Sequence, residues 1–306
     1  MPTSLDRYEL LRKRRDRFTR MLHGVEAGND RSLHRARVAS RRLRELLPVL
    51  QLDAETTHKL ARRLKHVTDR FGVVRELDVL LAVVDDLAAT GRYSRPALAR
   101  VALAVGDERR RARARLLTKS TLTELHRVAA KLERIERRLE SAGARPPRAA
   151  SRTWRWAIEA RIARRAATLS EAISAAAGVY LPDRLHTVRI AVKKLRYALE
   201  VSAETTGGQA PGALNHLRRT QGVLGRLHDL QVLIDRVRQM QASPAPTDLG
   251  VWRELDTLVV PLEDECRRLH GRYVRDRGAL AELAARLSGR SGGAEGKTEK
   301  LRLKRT

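Results

Sequence analysis

Apolar residues recur every three or four positions along most of the chain, which is the period of a helix with one buried face. In the first such stretch, Leu11, Phe18, Leu22 and Val25 share one side. No stretch of useful length alternates apolar and polar residues as a strand does. The sequence therefore predicts an all-α protein, with helices at residues 5–27, 30–52, 54–89, 96–117, 122–139, 154–177, 183–205 and 213–240, and one or two at 249–287.

Small and polar residues mark where these helices begin and end. Gly28 breaks the first helix, and we expect Asp30 or Ser32 to cap the second. Asp183 is the expected cap of the helix over residues 183–205. Gly72 is expected to loosen or kink the long helix that contains it, since glycine is a poor helix former.

A proline-rich segment divides the chain in two. Residues 142–151 hold adjacent prolines and small residues that stop a helix, so they are predicted to link two helical bundles. The first bundle is expected over residues 1–141 and the second over 152–288, together forming one domain. Residues 289–306 are basic and of low complexity, which predicts a disordered tail.

The two halves repeat each other. Residues 33–47 return as residues 185–199, at an offset of 152 residues. Over the eleven positions from His34 to Arg44, five are identical in the second copy. In the third helix of each half a second pair of motifs recurs at an offset of 153, matching Lys65 with Arg218 and Glu76 with Asp229. The sequence predicts two pseudo-symmetric bundles of four or five helices each, with the repeated helices facing one another.

Each repeated helix carries a stripe of basic residues opposite an apolar face. The first stripe consists of His34, Arg37, Arg41 and Arg44. The second stripe, in the second half, consists of His186, Arg189, Lys193 and Arg196. Like charges three or four residues apart repel by a few tenths of a kcal/mol, roughly, per pair. A solvated charged face is the ordinary explanation for one stripe, but two matched stripes favour an anionic partner.

Composition supports this expectation. The 306 residues carry a formal net charge of +27, so nucleic acid, an anionic membrane or another polyanion are the candidate partners. Aromatic residues make up 3% of the chain, which predicts a core of Leu, Val and Ala. Cys266 is the single cysteine, which excludes an intramolecular disulfide, and we assign it no role. The charged N-terminus and the lack of long apolar runs predict a soluble cytoplasmic protein without membrane binding.

The motifs HRARVASRRLR, HTVRIAVKKLRYALE, FGVVRELDVLL and LGRLHDLQVLI resemble those of the CHAD family, the conserved-histidine α-helical domain, over residues 5–288. The resemblance implies two bundles around a basic central channel, binding of inorganic polyphosphate, and recruitment to polyphosphate granules or polyphosphate-metabolising enzymes. Arg75-Glu76 departs from the arginine–aspartate pair expected there. The Glu-x-Glu-x-Lys signature of a fused hydrolase does not occur, so the chain resembles the stand-alone, polyphosphate-binding type.

The binding residues that the resemblance implies are His34, Arg37, Arg41, Arg42, Arg44, Lys65, His186, Arg189, Lys193, Lys194, Arg196 and Arg218. We add Arg14 and Arg165, which match each other in the repeat. Glu76 and Asp229 are expected to hold arginines in place, with a general-base role as the alternative. Each histidine is interpreted as a phosphate donor that gains charge when ligand binds, or as a neutral side chain near a helix start.

The expected function is therefore polyphosphate binding without catalysis, metal or cofactor. The first alternative is a nucleic-acid-binding protein that contacts RNA or DNA backbone, although few aromatic residues are present to stack on bases. On the leading interpretation nucleic acid binds only non-specifically. The second alternative is a metal-dependent polyphosphate hydrolase that uses His34, His186, Glu76 and Asp229.

Overall fold

The computed structural model describes residues 6–142, 148–176, 178–206, 211–242 and 249–289. Within these ranges the chain forms helices and connecting turns and contains no strand, which confirms the all-α class. The helices are α1 (Arg7–Thr19), α2 (Leu22–Glu26), α3 (Asp30–Leu46), α4 (Ala54–Ala89), α5 (Arg95–Leu116), α6 (Lys119–Ala142), α7 (Arg148–Ala176), α8 (Pro182–Thr206), α9 (Pro211–Gln241) and α10 (Leu249–Gly289).

Both predicted helix caps are wrong by one position or more. Asn29 caps α3, since its extended backbone lets its side chain accept a hydrogen bond from the Ser32 backbone N–H at 3.0 Å. Asp30 is instead the first residue of that helix. In the second half α8 begins at Pro182, which is favoured in a first turn, so Asp183 lies inside the helix.

Two long helices are more regular than their sequences suggest. α4 spans the predicted residues 54–89 and continues through Gly72 without a break. α10 is one helix rather than two, and it continues through Pro261. By contrast, the predicted first helix is two helices, because the chain turns at Arg20 and Met21 between α1 and α2.

The halves meet along two pairs of corresponding helices. Within the first half α3 packs on α4, and within the second half α8 packs on α9. Across the halves α3 packs on α8 and α4 packs on α9, so the repeated helices do face one another. One continuous apolar cluster, dominated by Leu and Val, runs through both halves. Because this core is shared, the stripes are held on rigid helices on both sides of the contact.

The described residues include part of the predicted linker and none of the predicted tail beyond residue 289. α6 ends at Ala142 and α7 begins at Arg148, so residues 148–151 of the predicted linker are helical and its residues 143–147 lie outside the described residues. The predicted disordered tail also lies outside them beyond residue 289. The division into two bundles and their two-fold relation stay predictions.

Candidate anion-binding site

A cavity of about 770 Å³ lies where the four central helices meet. Residues of α3, α4, α8 and α9 line it. Seven of the eight stripe residues line this cavity: His34, Arg37, Arg41, His186, Arg189, Lys193 and Arg196. The packing of α3 on α8 therefore brings together two sets of side chains that are 152 residues apart in the sequence.

α4 and α9 add basic residues that the sequence-based prediction missed. Arg75 of α4 and Arg226 and His228 of α9 also line the cavity. Arg75 and His228 occupy matching positions in the second repeat, next to Glu76 and Asp229. The repeat that matches the two carboxylates therefore also points to these two residues.

Several of these cations lack a carboxylate partner. Among the described residues, no Asp or Glu forms an ion pair with Arg37, Arg41, Arg75 or Lys193. Burial, followed by the repulsion from Arg41 and Arg75, lowers the pKa of Arg37 to about 10. Arginine at this pKa is still charged at neutral pH, so the cavity holds positive charge without neutralising it internally.

Lys193 shows the same imbalance more strongly. Burial, followed by the repulsion from Arg41 and Arg189, lowers the pKa of Lys193 to about 7. Desolvation and neighbouring cations both penalise the charged form of an amine. An anion that entered the cavity would relieve both effects, so the wall favours an anionic occupant.

Two histidines form a pair on one side of the cavity. His186 and His228 place their Nδ1 atoms 3.2 Å apart, with ring centroids separated by 4.5 Å. At this distance one neutral ring donates its N–H to the other, so two charged rings would oppose each other. Burial, followed by the charge of Arg189, lowers the pKa of His228 to about 4. Both pKa shifts favour the neutral forms of the two rings at pH 7.

His34 has a similar environment in the first half. Burial, followed by the nearby Arg75 and Arg37, lowers its pKa below the ordinary value for histidine. Burial, followed by Arg189 and Lys193 of the same helix, likewise lowers the pKa of His186, and a bound polyanion would oppose both shifts. Their predicted role as phosphate donors is compatible with this environment and stays a prediction.

Glu76 and Asp229 lie in the cavity among the arginines. Asp229 Oδ1 is 3.9 Å from Arg189 Nη2, which fits the predicted role of orienting that arginine. Burial raises the pKa of Asp229 while Arg189 and Arg226 act in the opposite direction. Two carboxylates leave most of the cationic wall without a counterion.

Gly72 lies next to the guanidinium of Arg37. A Cβ atom built at Gly72 would lie 3.6 Å from Arg37 Nη2, an ordinary van der Waals contact, so the space at this position would accept a small side chain. Gly225, its counterpart in the repeat, lines the cavity together with Gly222.

The structure places other predicted contacts outside the cavity, in buried ion pairs. Arg165 and Arg161 of α7 both bind Glu45, with Nη2–oxygen distances of 2.8 and 2.9 Å. Glu45 is only 8% exposed. Arg44 and Lys194 are electrostatically coupled to this group, which lies next to the cavity rather than within it. Glu45 is therefore the counterion of Arg161 and Arg165.

A second group joins the halves in the same manner. Arg14 is 1% exposed and donates to Glu204 Oε1 at 2.6 Å. Arg42 Nη2 lies 3.0 Å from Glu200 Oε2, which also pairs with Arg196 at the cavity edge, at 3.5 Å through Oε1. These contacts hold α1 and α3 against α8, and the predicted ligand contacts of Arg14 and Arg42 stay predictions.

Lys65 and Arg218 are exposed, in the N-terminal halves of α4 and α9, and do not line the cavity. Lys65 pairs with Asp69 at 2.9 Å, and Arg218 donates to Asn215 Oδ1 at 3.1 Å. Their predicted contact with ligand therefore requires a chain that extends beyond the cavity. It stays a prediction.

Two further searches of the described part of the chain give negative results. No three or more His, Cys, Asp or Glu side chains in it are arranged to hold a metal ion. None of its helices has an apolar stretch of the length that a bilayer crossing requires.

One family model matches most of the chain, and two solved structures share its fold. The profile of the CHAD domain matches residues 9–238. The crystal structure of the CHAD domain from the plant Ricinus communis aligns with 93% of this chain and 95% of its own, at 20% sequence identity and a TM-score of 0.56. PptA from Streptomyces chartreusis aligns with 87% of this chain and 95% of its own, at 18% identity and a TM-score of 0.59. No curated protein matches the sequence.

Proposed function

Because the chain belongs to the CHAD domain family, we propose that it binds inorganic polyphosphate in the cavity between α3, α4, α8 and α9, without catalysing its hydrolysis. The observation that carries the proposal is a set of basic side chains in the cavity with which no carboxylate of the described residues forms an ion pair: Arg37, Arg41, Arg75 and Lys193. Their charge is held on rigid helices, so little conformational entropy is lost when ligand binds.

Polyphosphate fits this site better than other polyanions. Its charge repeats along a flexible chain, and arginine forks bind phosphate oxygens bidentately while lysine acts as a point charge. Arg37, Arg41, Arg189 and Lys193 lie on two facing helices, so one chain passing between them contacts both stripes. On this proposal the carboxylate of Asp229 orients Arg189 and does no chemistry.

Nucleic acid is the less favoured ligand. Single-strand recognition depends on aromatic rings that stack on bases. Tyr197 lines the cavity, but the Arg196 guanidinium lies over its ring, 4.9 Å from the centroid. This ring face is therefore covered, and nucleic acid is left with backbone contacts that any polyanion can make.

Competition at about 150 mM salt, where weak backbone contacts are suppressed, tests the proposal. Fluorescent long-chain polyphosphate bound to the full chain is titrated with tRNA and with duplex DNA, at matched phosphate concentrations. We expect unlabelled polyphosphate to displace the probe and the nucleic acids to displace little of it. Equal displacement by tRNA would contradict the proposal.

The absence of hydrolysis is tested separately. Phosphate release from polyphosphate is followed over hours with Mg²⁺ or Mn²⁺ present, and we expect none above the protein-free control. Release that is lost in a Glu76→Gln, Asp229→Asn double variant would support the hydrolase alternative instead.

In cells, a tagged chain is expected on polyphosphate granules, and granule-free cells serve as its control.

A further inference from the structure

Lys193 is the lysine that lines the cavity. The side chain is half-buried and lies on α8 among cationic groups of three helices. The charged or titratable groups that act on it are Arg37, Arg41, Arg189, Lys194, His186 and His228. The carboxylates of the cavity are Glu76 and Asp229, and among the described residues neither they nor any other carboxylate forms an ion pair with the Lys193 amine.

This environment favours the uncharged, nucleophilic form of the amine. Burial and the arginines lower the pKa of Lys193 to about 7, whereas an ordinary lysine titrates above pH 10. At pH 7.5 about three quarters of such amines are neutral, against roughly one in a thousand for an exposed lysine. Lysines held next to other cations in this way are the usual amine nucleophiles of proteins.

The surrounding arginines also provide a phosphate-binding site for a reagent. Arg37, Arg41 and Arg189 line the same cavity as the amine. Their guanidinium groups bind a phosphate dianion and place any group attached to it beside Lys193. A cavity of about 770 Å³ admits a small phosphorylated molecule easily. A bound phosphate dianion raises the pKa of the amine, so at low reagent concentration the rate follows the free protein, in which the amine is largely neutral. A phosphate-binding group and such an amine in one cavity are the requirements for guided acyl transfer.

We propose that Lys193 is a modification site that small acyl phosphates, such as acetyl phosphate, acylate directly within the cavity. The amine nitrogen attacks the carbonyl carbon and forms a C–N bond, and the bond from that carbon to the phosphate oxygen breaks. The leaving phosphate takes the proton that the nitrogen loses, so the products are an amide and hydrogen phosphate. Arginine N–H groups stabilise the negative charge on the carbonyl oxygen as it develops.

The modification would regulate the site described above, and in this respect it rests on the proposed function. Acylation removes the charge of Lys193 and fills part of the cavity with an acyl group. It thereby weakens polyanion binding, while a bound polyanion protects the amine from reaction. The two processes are mutually exclusive at one residue.

Peptide mass spectrometry of the full chain treated with acetyl phosphate tests the proposal. The neighbouring Lys194 is the matched internal control, because it lies on the same helix but outside the cavity and near Glu45. At pH 7.5 we expect Lys193 to be acetylated at least about tenfold faster than Lys194 or the exposed Lys59, because of these three lysines Lys193 is the one that lines the cavity with the phosphate-binding arginines. Its rate should level off above pH 7 to 8, as its amine becomes neutral.

Two outcomes decide the matter independently of polyphosphate. Excess inorganic phosphate is expected to slow acetylation of Lys193 and leave Lys59 unchanged. If Lys193 reacts no faster than Lys194, or if phosphate has no effect on it, the acylation proposal is wrong even when polyphosphate binds tightly. Fast, phosphate-sensitive acetylation in a protein that fails to bind polyphosphate would instead contradict only the proposed function.

Discussion

The pH dependence of polyphosphate binding can be worked out from Lys193. The free cavity lowers the pKa of this amine to about 7, and a bound polyanion moves it back towards the ordinary value above 10. Polyphosphate binding should therefore weaken as the pH rises. At pH 6 the amine is already charged in the free protein, whereas at pH 8 it is about nine-tenths neutral and must take up a proton when ligand binds.

The magnitude follows from the same two states. Charging the amine at pH 8 costs about 1.4 kcal/mol, and at pH 6 the cost is close to zero. Lys193 alone therefore weakens binding by about tenfold between pH 6 and pH 8. His34, His186 and His228 act in the same direction, because their pKa values are also lowered in the free protein.

A substitution separates the lysine from the histidines. Lys193→Arg keeps a cation that stays charged throughout this range, so its binding should change about tenfold less than that of the wild type between pH 6 and pH 8. Lys194→Arg is the matched control and should keep most of the wild-type dependence. Titration calorimetry with long polyphosphate, whose end groups are few, measures both affinities.

Proton uptake gives a second readout of the same linkage. Calorimetry at pH 8 in two buffers of different ionisation enthalpy counts the protons bound with the ligand. The wild type should take up about one proton more than Lys193→Arg, as the free amine is nearly all neutral at that pH. Equal uptake, or equal pH dependence in the two proteins, would refute the reasoning.

Three further predictions follow from the charges. The double variant Arg41→Glu, Lys193→Glu should lose polyphosphate affinity by at least about a hundredfold in a fluorescence titration. The control variant Arg35→Glu, Arg219→Glu makes the same type of substitution at two exposed positions and should lose far less. Similar losses in the two variants would mean that net charge alone explains the effect. Lys193→Met should raise the melting temperature at pH 6, because the folded wild type then holds a charged amine that burial disfavours. This gain should vanish as the pH rises from about 7 to about 10.5. A difference in melting temperature between variant and wild type that stays constant with pH would contradict the prediction. Glu45→Ala should destabilise the fold by about 3 kcal/mol, because two α7 arginines would lose their buried counterion, and an unchanged melting temperature would contradict this.

The stripes were predictable because a helix fixes the spacing of its own side chains. The repeat placed His34, Arg37 and Arg41 on one face, and all three line the cavity. Arg44 satisfied the same spacing but lies near Asp69 and Glu45 at the end of the helix. Periodicity assigns a residue to a face, and it does not say how far along the helix a cavity extends.

His228 and Arg75 show the opposite case. They lie on α4 and α9, whose polar residues show no stripe as clear as those of the repeated helices. They reach the cavity because α4 packs on α9 and each packs on a stripe helix. Only the packing of four helices shows that these residues share a site with Lys193.

The sequence by itself determined most of the helices and the two basic stripes, because each depends on contacts between residues close in the chain. Comparing its two halves was enough to match the stripes. The tertiary structure decided which cations are available to a ligand. Arg14 and Arg165 are neutralised by Glu204 and Glu45, which are 190 and 120 residues away in the sequence. Arg37 and Lys193 have no such partner among the described residues. An ion pair requires proximity in space, and for distant residues only the fold determines it.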